Sequence, residues 1–355
     1  MATDYKKELE ELIEYVISEG GSDLHLSEGR QPTIRVSGFL IPLVKKAKLL
    51  GADTLGFLNE LLTPGDKKLF MEQREIDFSY NYKNAARFRC NGFFQQGSVS
   101  IAMRLIPKKI KNFTELALPP ILQTFAERHQ GFFLVVGPIG HGKTTTLAAM
   151  VEYINETRAE HIVTIEDPIE YVYEQKMSII DQREIRVDTK DFHTALGSVF
   201  REDVNVLMIG EMRDIETIST AVTAAETVHL VLSTLHTNSA AQTIDRIIDT
   251  FPAGQQDQIR VQLAGSLAAI FSQRLIPRIS GGMIPAYELL INNSAVSNLI
   301  REKRTHEIDT VIETGLEQGM IDMNRSLADL VRNGEITTEN ALLYSFNPKG
   351  LERLI

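Results

Sequence analysis

The sequence predicts an α/β core built on a parallel sheet, preceded by a small α+β domain and followed by a helical C-terminal region. Three observations lead there. Between about 119 and 282, short continuous apolar runs alternate with helix-compatible stretches, as in a parallel sheet covered on both faces. Before that region the pattern runs helix, strands, helix, strands on a shorter scale. From 283 to 355 helical patterning dominates, with Asn, Gly and Thr at the breaks. A chain of 355 residues has room for about two or three domains.

In order along the chain, residues 4–19 read as a helix. Leu9, Leu12, Ile13, Val16 and Ile17 fall on one face, and Gly20-Gly21 stop it. Residues 22–44 change to short alternating runs such as Thr33-Ile34-Arg35-Val36, broken by Gly29, Pro32, Gly38 and Pro42, which is hairpin texture. A helix is expected over 52–71 and strands over 75–106, completing a domain at 1–106. The polar, basic stretch Pro107-Lys108-Lys109-Ile110-Lys111-Asn112 opens a linker over 107–118, and Pro119-Pro120 begins the core, 119–282. Core strands are expected at 131–137, 161–166, 204–210 and 228–234, each followed by a helix-compatible segment. Residues 283–355 form the helical C-terminal region.

Composition narrows the function. With 37 Lys+Arg against 47 Asp+Glu the net charge is −10, which argues against nucleic acid as the main partner. Cys90 is the single cysteine, so a disulfide framework and a four-cysteine zinc site are excluded. No apolar run follows a basic start at the N-terminus, and runs such as Phe132-Phe133-Leu134-Val135-Val136 fall far short of the roughly 20 residues a bilayer span needs. A cytoplasmic chain is expected, one still able to dock on a membrane-bound machine.

The chemistry begins at Gly137-Pro138-Ile139-Gly140-His141-Gly142-Lys143-Thr144-Thr145, which fits G-x-x-x-x-G-K-[ST]. Glycines let the backbone curl so that successive N–H groups face phosphate oxygens. Lys143 reaches the β- and γ-phosphates, the Thr144 hydroxyl binds Mg²⁺, and the helix opening at Thr145 aims its positive end at the same anion. The motif follows an apolar strand and precedes a stretch free of Gly and Pro, the context that a nucleoside triphosphate site requires.

Such a site also needs a carboxylate near the metal and another to activate water. The apolar run Val206-Leu207-Met208-Ile209 ends in Gly210-Glu211, with glycine where an aspartate is usual, so Glu211 reads as general base. The missing carboxylate then comes from the strand 161–166, which ends Glu166-Asp167-Pro168. Strand ends gather at the ligand crevice of a parallel sheet, so that reading is preferred over a simple acidic cap before Pro168. His229 and His236 bracket a third strand whose end carries Ser233 and Thr234. Two readings stay open for them, hydrogen-bonded core residues or sensors of the γ-phosphate; no third ligand lies at metal-binding spacing.

GPIGHGKTT, VTIEDPIEY, REDVNVLMIGEMRDIET and HLVLSTLHT, in that order and spacing, resemble the Walker A, Asp box, Walker B and His box of the secretion ATPase superfamily. Within it the chain is similar to the type IV pilus retraction ATPases, the PilT family, over nearly its whole length. SDLHLSEGRQPTIRVSG, ARFRCNGFFQ, TIDRIIDTFP and SNLIREKRTHEIDTVIETG carry that likeness. The resemblance implies a PAS-like N-terminal domain joined to a RecA-like ATPase core. It implies a homohexameric ring with ATP between the domains, and domain rotations that depolymerise pilin at the inner membrane through a platform protein. Twitching motility is the output.

For individual residues, the resemblance assigns ATP to Gly137, Gly140, His141, Gly142, Lys143, Thr144 and Thr145. Thr144 with Glu166 places Mg²⁺, Glu211 activates water, and His229 and His236 report phosphate state. Arg87, Arg89 and Arg104 reach a neighbour's nucleotide, and Arg201 and Arg213 flank the Walker B strand as charge partners. Pilus assembly and type II secretion ATPases share the boxes but carry a long extra N-terminal domain and a four-cysteine zinc motif, so retraction is favoured. Gly97 and Gly197 stand where the family commonly has Arg, Val228 where it has Gly, and Ser297 where it has Arg. An accessory or paralogous motor therefore stays an alternative, ahead of a nucleic-acid translocase or a non-hydrolysing switch.

Overall fold

The computed structural model describes residues 4–36, 38–83, 85–227 and 229–355, so Val228 lies outside the described residues. The chain divides into two compact units. One takes residues up to Lys109 together with Pro168–Val172; the other takes Ile110–Asp167 and Tyr173–Ile355.

In the first unit, helix α1 (Tyr5–Ser18) is capped by Asp4, whose side chain accepts from the Lys7 amide, and it buries Leu9, Leu12, Ile13 and Val16. Strands β1 (Asp23–Ser27), β2 (Thr33–Val36) and β3 (Phe39–Pro42) follow. The helix expected over 52–71 is two helices, α2 (Gly51–Leu61) and α3 (Pro64–Gln73). Leu62 is extended, Thr63 caps α3, and Pro64 occupies its first turn, where the missing N–H costs nothing. Strands β4 (Glu75–Tyr82), β5 (Ala86–Gln95) and β6 (Ser98–Ile106) complete an antiparallel sheet of order β3-β2-β1-β6-β5-β4. Its β5 alternates as a half-covered strand does: Ala86, Phe88 and Cys90 enter the core while Arg87 and Arg89 take the other face.

The second unit runs α4 (Ile121–Ala126), β7 (Gly131–Val136), α5 (Lys143–Thr157), β8 (His161–Glu166), β9 (Ile179–Glu184), α6 (Phe192–Val199), β10 (Val206–Ile209), α7 (Ile215–Thr227), β11 (Leu230–Leu235), α8 (Ala240–Asp249), α9 (Ala253–Ser266) and β12 (Leu267–Pro277). Then come β13 (Met283–Ile291), α10 (Ser294–Arg301), α11 (Ile308–Thr314), α12 (Met323–Arg332), α13 (Thr338–Tyr344) and α14 (Pro348–Leu351). The sheet order is β13-β12-β7-β11-β10-β8-β9, parallel except for the β12–β13 hairpin. Every residue of β7, β10 and β11 is buried, as in strands with both faces covered.

Two elements depart from the sequence-based expectation. The segment after β8 is not a helix: the chain returns through 167–178 to lay β9 parallel to β8, His161 opposite Ile179. The C-terminal region opens with strand β13, which extends the sheet through a turn at Gly281 and Gly282, both at positive φ.

Candidate nucleotide site

The C-terminal ends of four adjacent parallel strands bring the predicted residues of the core together. From β7 the chain enters the glycine loop and then α5, whose first residue is Lys143. β8 ends at Glu166, β10 leads into Gly210-Glu211, and β11 leads into His236. Ile165, Ile209 and Ser233 lie side by side in register, and Leu235 lies beside Val136. This is the edge at which open parallel sheets bind ligands.

Lys143 is buried, and its Nζ donates to the carbonyls of Gly137 and Pro138, both at 2.9 Å. Glu166 is also buried; its Oε1 accepts from Thr164 Oγ1 at 2.7 Å and from Gln182 Nε2 at 3.3 Å. Asp167 instead pairs with Arg186 at 3.2 Å. A Cβ built on Gly210 would lie 3.8 Å from Glu166 Cγ, so Glu166 fills the space beside the glycine. Glu211 contacts Arg213 at 2.5 Å and His236 Nε2 at 3.7 Å. His236 is pushed toward its neutral form by burial and then by Lys143, against the pull of Glu211. Ser233 and Thr234 donate to the carbonyls of Ile209 and Gly210, tying β11 to β10.

His229 is a correction. It sits before the first residue of β11, and its carbonyl accepts from the Gly131 amide at 3.1 Å, at the opposite end of the sheet from the glycine loop. At about 3.3 Å per strand residue, roughly 20 Å separates it from His236. Its ring meets the Ala224 carbonyl at 3.2 Å and Thr227 Oγ1 at 3.1 Å, and packs edge-on to Phe200. Within this chain it is a buried core histidine, set away from the glycine loop.

Arg87, Arg89 and Arg104 belong to the first unit. Arg87 donates to Ser79 Oγ at 3.0 Å and Asn81 Oδ1 at 3.4 Å, Arg89 pairs with Glu170 at 2.9 Å, and Arg104 with Asp23 at 2.9 Å. Arg89 and Arg104 stand directly opposite one another across β5 and β6, a like-charge pairing offset by the carboxylate that each one meets. Asp23 also meets Arg35 at 3.7 Å; despite its burial, hydrogen bonds from Ser22 and Arg104 hold its carboxyl below the usual range. Arg201 is exposed, whereas Arg213 makes the contact to Glu211. Gly97 has φ +86°, a left-handed turn position that favours glycine. The Ser297 hydroxyl meets the Ala264 carbonyl at 2.9 Å and Asn292 Oδ1 at 3.0 Å.

Sequence reasoning missed β12. Gln273 on that strand accepts from Thr146 Oγ1 at 2.7 Å and donates to the His141 carbonyl at 2.8 Å, and the Leu275 amide donates to His141 Nδ1 at 2.9 Å. The available signal was the polar Ser272-Gln273-Arg274 stretch between two apolar runs.

The family model for Type II/IV secretion system protein matches residues 4–282. The chain is 42% identical over 334 residues to the type IV pilus "retractation" ATPase PilT of Pseudomonas aeruginosa, covering 94% of this chain and 97% of that one. It is 45% identical over 311 residues to a twitching motility protein of Neisseria gonorrhoeae, covering 87% and 83%. Among solved structures, the pilus retraction motor PilT with bound ADP superposes with a TM-score of 0.89 at 44% identity, covering 97% of this chain and 98% of that one. A PAS-like domain and a RecA-like core follow from that likeness. The chain belongs to the type II/IV secretion system protein family, among its PilT-type members.

Proposed function

We propose that this chain is an ATP-hydrolysing motor that powers type IV pilus retraction. The observation that carries the chemistry is the convergence of Lys143, Glu166, Glu211 and His236 on the C-terminal edge of one parallel sheet. The near full-length likeness to pilus retraction ATPases supports the biological direction.

In this reading the amides of 137–145 and Lys143 hold the β- and γ-phosphates. Glu211 takes a proton from the attacking water, whose oxygen bonds the γ-phosphorus as the bridging bond to the β-phosphate breaks. His236, beside Glu211, faces the group that changes charge. The donor set suits a hard divalent cation: the Thr144 hydroxyl and the Glu166 carboxylate would hold Mg²⁺, with substrate oxygens and water completing its shell. When bound, Mg²⁺ neutralises charge on the phosphate oxygens.

Arg87, Arg89 and Arg104 share one face of the sheet, and exchanging their present partners for an anion brought by a second copy would let them act across subunits. A homohexameric ring, head to tail and closed by rotation, would supply that copy. Among the described residues no helix is long and apolar enough to cross a membrane. By its likeness to pilus retraction ATPases, the ring is assigned to the cytoplasmic face of the inner membrane, acting on the pilin polymer through a platform protein.

The test is steady-state Mg²⁺-dependent ATPase activity with the particle mass recorded, beside twitching of a retraction-deficient host supplied with this chain. Turnover by a ring and restored twitching are expected. Turnover without twitching would assign the chain to an accessory motor, and absence of turnover with ATP bound would overturn the motor reading.

A further inference from the structure

The phosphate loop is held in shape from outside itself. Gln273 is buried in β12, and both ends of its amide are used: Oε1 accepts from Thr146 in the first turn of α5, and Nε2 donates to the His141 carbonyl. The Leu275 amide, two residues along, donates to Nδ1 of the same histidine. One loop residue is thus gripped by both its backbone and its ring.

We propose that β12 is a clamp that sets the anion-binding shape of the phosphate loop, with Gln273 as its positioning residue and His141 as the residue it grips; this rests on the nucleotide reading above. A trans peptide carries its C=O and the next N–H on opposite sides. Fixing the His141 carbonyl on Gln273 therefore turns the Gly142 N–H to the other side of the loop, the orientation an anion nest needs.

The loop glycines divide accordingly. A Cβ on Gly137 would fall 2.2 Å from the Gln273 carbonyl oxygen and one on Gly142 2.9 Å from Gln273 Nε2, so β12 crowds both in addition to their positive φ of +145° and +80°. Gly140 has φ +79° and no protein atom within 4 Å of its added Cβ, so it is glycine for its turn alone. The ring grips only as the neutral tautomer, with Nδ1 accepting. Burial, then Arg274 and Lys143, hold His141 below the ordinary histidine range and favour that form.

The experiment titrates the full-length chain with a fluorescent ADP analogue and measures kcat and KM in parallel. Gln273→Met keeps the side-chain length and removes both contacts; Thr146→Val removes one; His141→Ala releases the grip. For Gln273→Met, Kd and KM should rise about 10-fold with kcat within about twofold, because two net hydrogen bonds are lost from positioning and none from chemistry. Thr146→Val should lose less. Adding His141→Ala to Gln273→Met should cost little more, as members of one unit are not additive. Should Gln273→Met fail to fold, Thr146→Val and His141→Ala carry the test through the same readouts. Unchanged affinity with only a lower melting temperature, or fully additive losses, would overturn the clamp while leaving the nucleotide reading intact. Failure of the wild type to bind the analogue would overturn both.

Discussion

The two ends of the parallel sheet in the second unit are built from the same strands and do opposite things with their polar groups. At the N-terminal end the His161 amide donates to Asn205 Oδ1, the Leu230 amide to the Asn205 carbonyl, and the Gly131 amide to the His229 carbonyl. These contacts close among themselves, and the His229 ring is wedged against Phe200. At the C-terminal end Lys143 rests on the carbonyls of its own loop, and Glu211 is shared between an exposed arginine and a histidine 3.7 Å away. Polar groups matched at close range stabilise a fold; groups left with weak or exchangeable partners are available to a substrate. The two histidines of one sequence motif fall on either side of that division.

The largest effect that sharpens the comparison is Glu211→Gln. Loss of a general base should lower kcat by about 10²–10⁴-fold while nucleotide affinity and melting temperature stay near wild type, read by single-turnover kinetics and calorimetry. A second effect lies at the same end. Glu288 on β13 is 8% exposed, and its Oε1 accepts from the Ala240 amide at the start of α8. Burial pushes its carboxyl up to about 7 from 4.5. A raised acid binds its proton more tightly in the folded state. Its stabilising contribution is whole below 4.5 and is lost as pH climbs to about 7, on the order of 3 kcal/mol in all. Glu288→Gln should flatten that part of the stability curve in pH-dependent chemical denaturation.

At the opposite end, His229→Ala should cost roughly 1–3 kcal/mol of stability, from lost hydrogen bonds and packing, with kcat within about twofold. A large loss of turnover without destabilisation would break the comparison. The smallest effect is on the acid side. His141 and His236 are both lowered by burial, so the folded state binds fewer protons there than the unfolded chain. Stability should hold above 6.5 and decline as pH falls below it, and replacing both residues with Gln should lessen that decline, leaving the share of His25, which burial also lowers.

Much of this was legible from local pattern. The glycine loop sat between an apolar strand and a helix, and the acids at 166 and 211 followed apolar runs, so strand ends and chemistry could be matched before any contact was known. What was not legible depends on distant partners. Ile179-Ile180-Asp181-Gln182-Arg183-Glu184 has a polar half and pairs with β8 alone, which hides a strand from periodicity. Gln273 lies over 120 residues from the loop it touches, and nothing local marks its amide as anything but an interruption in an apolar run. The break at Pro64 is masked in the sequence because the apolar spacing continues across it. His229 and His236 look alike in sequence, and only strand direction separates them.

Gly210 has a consequence for redesign. The acid usual at that position has in effect migrated one strand over, since a Cβ there would already touch the Glu166 backbone and side chain. Gly210→Asp would therefore set a second carboxylate beside the one that Glu166 already brings. Two carboxylates within a few ångströms cannot both ionise cheaply, and one would keep its proton through neutral pH. In this sheet the glycine keeps the Glu166 carboxyl clear of a second acid.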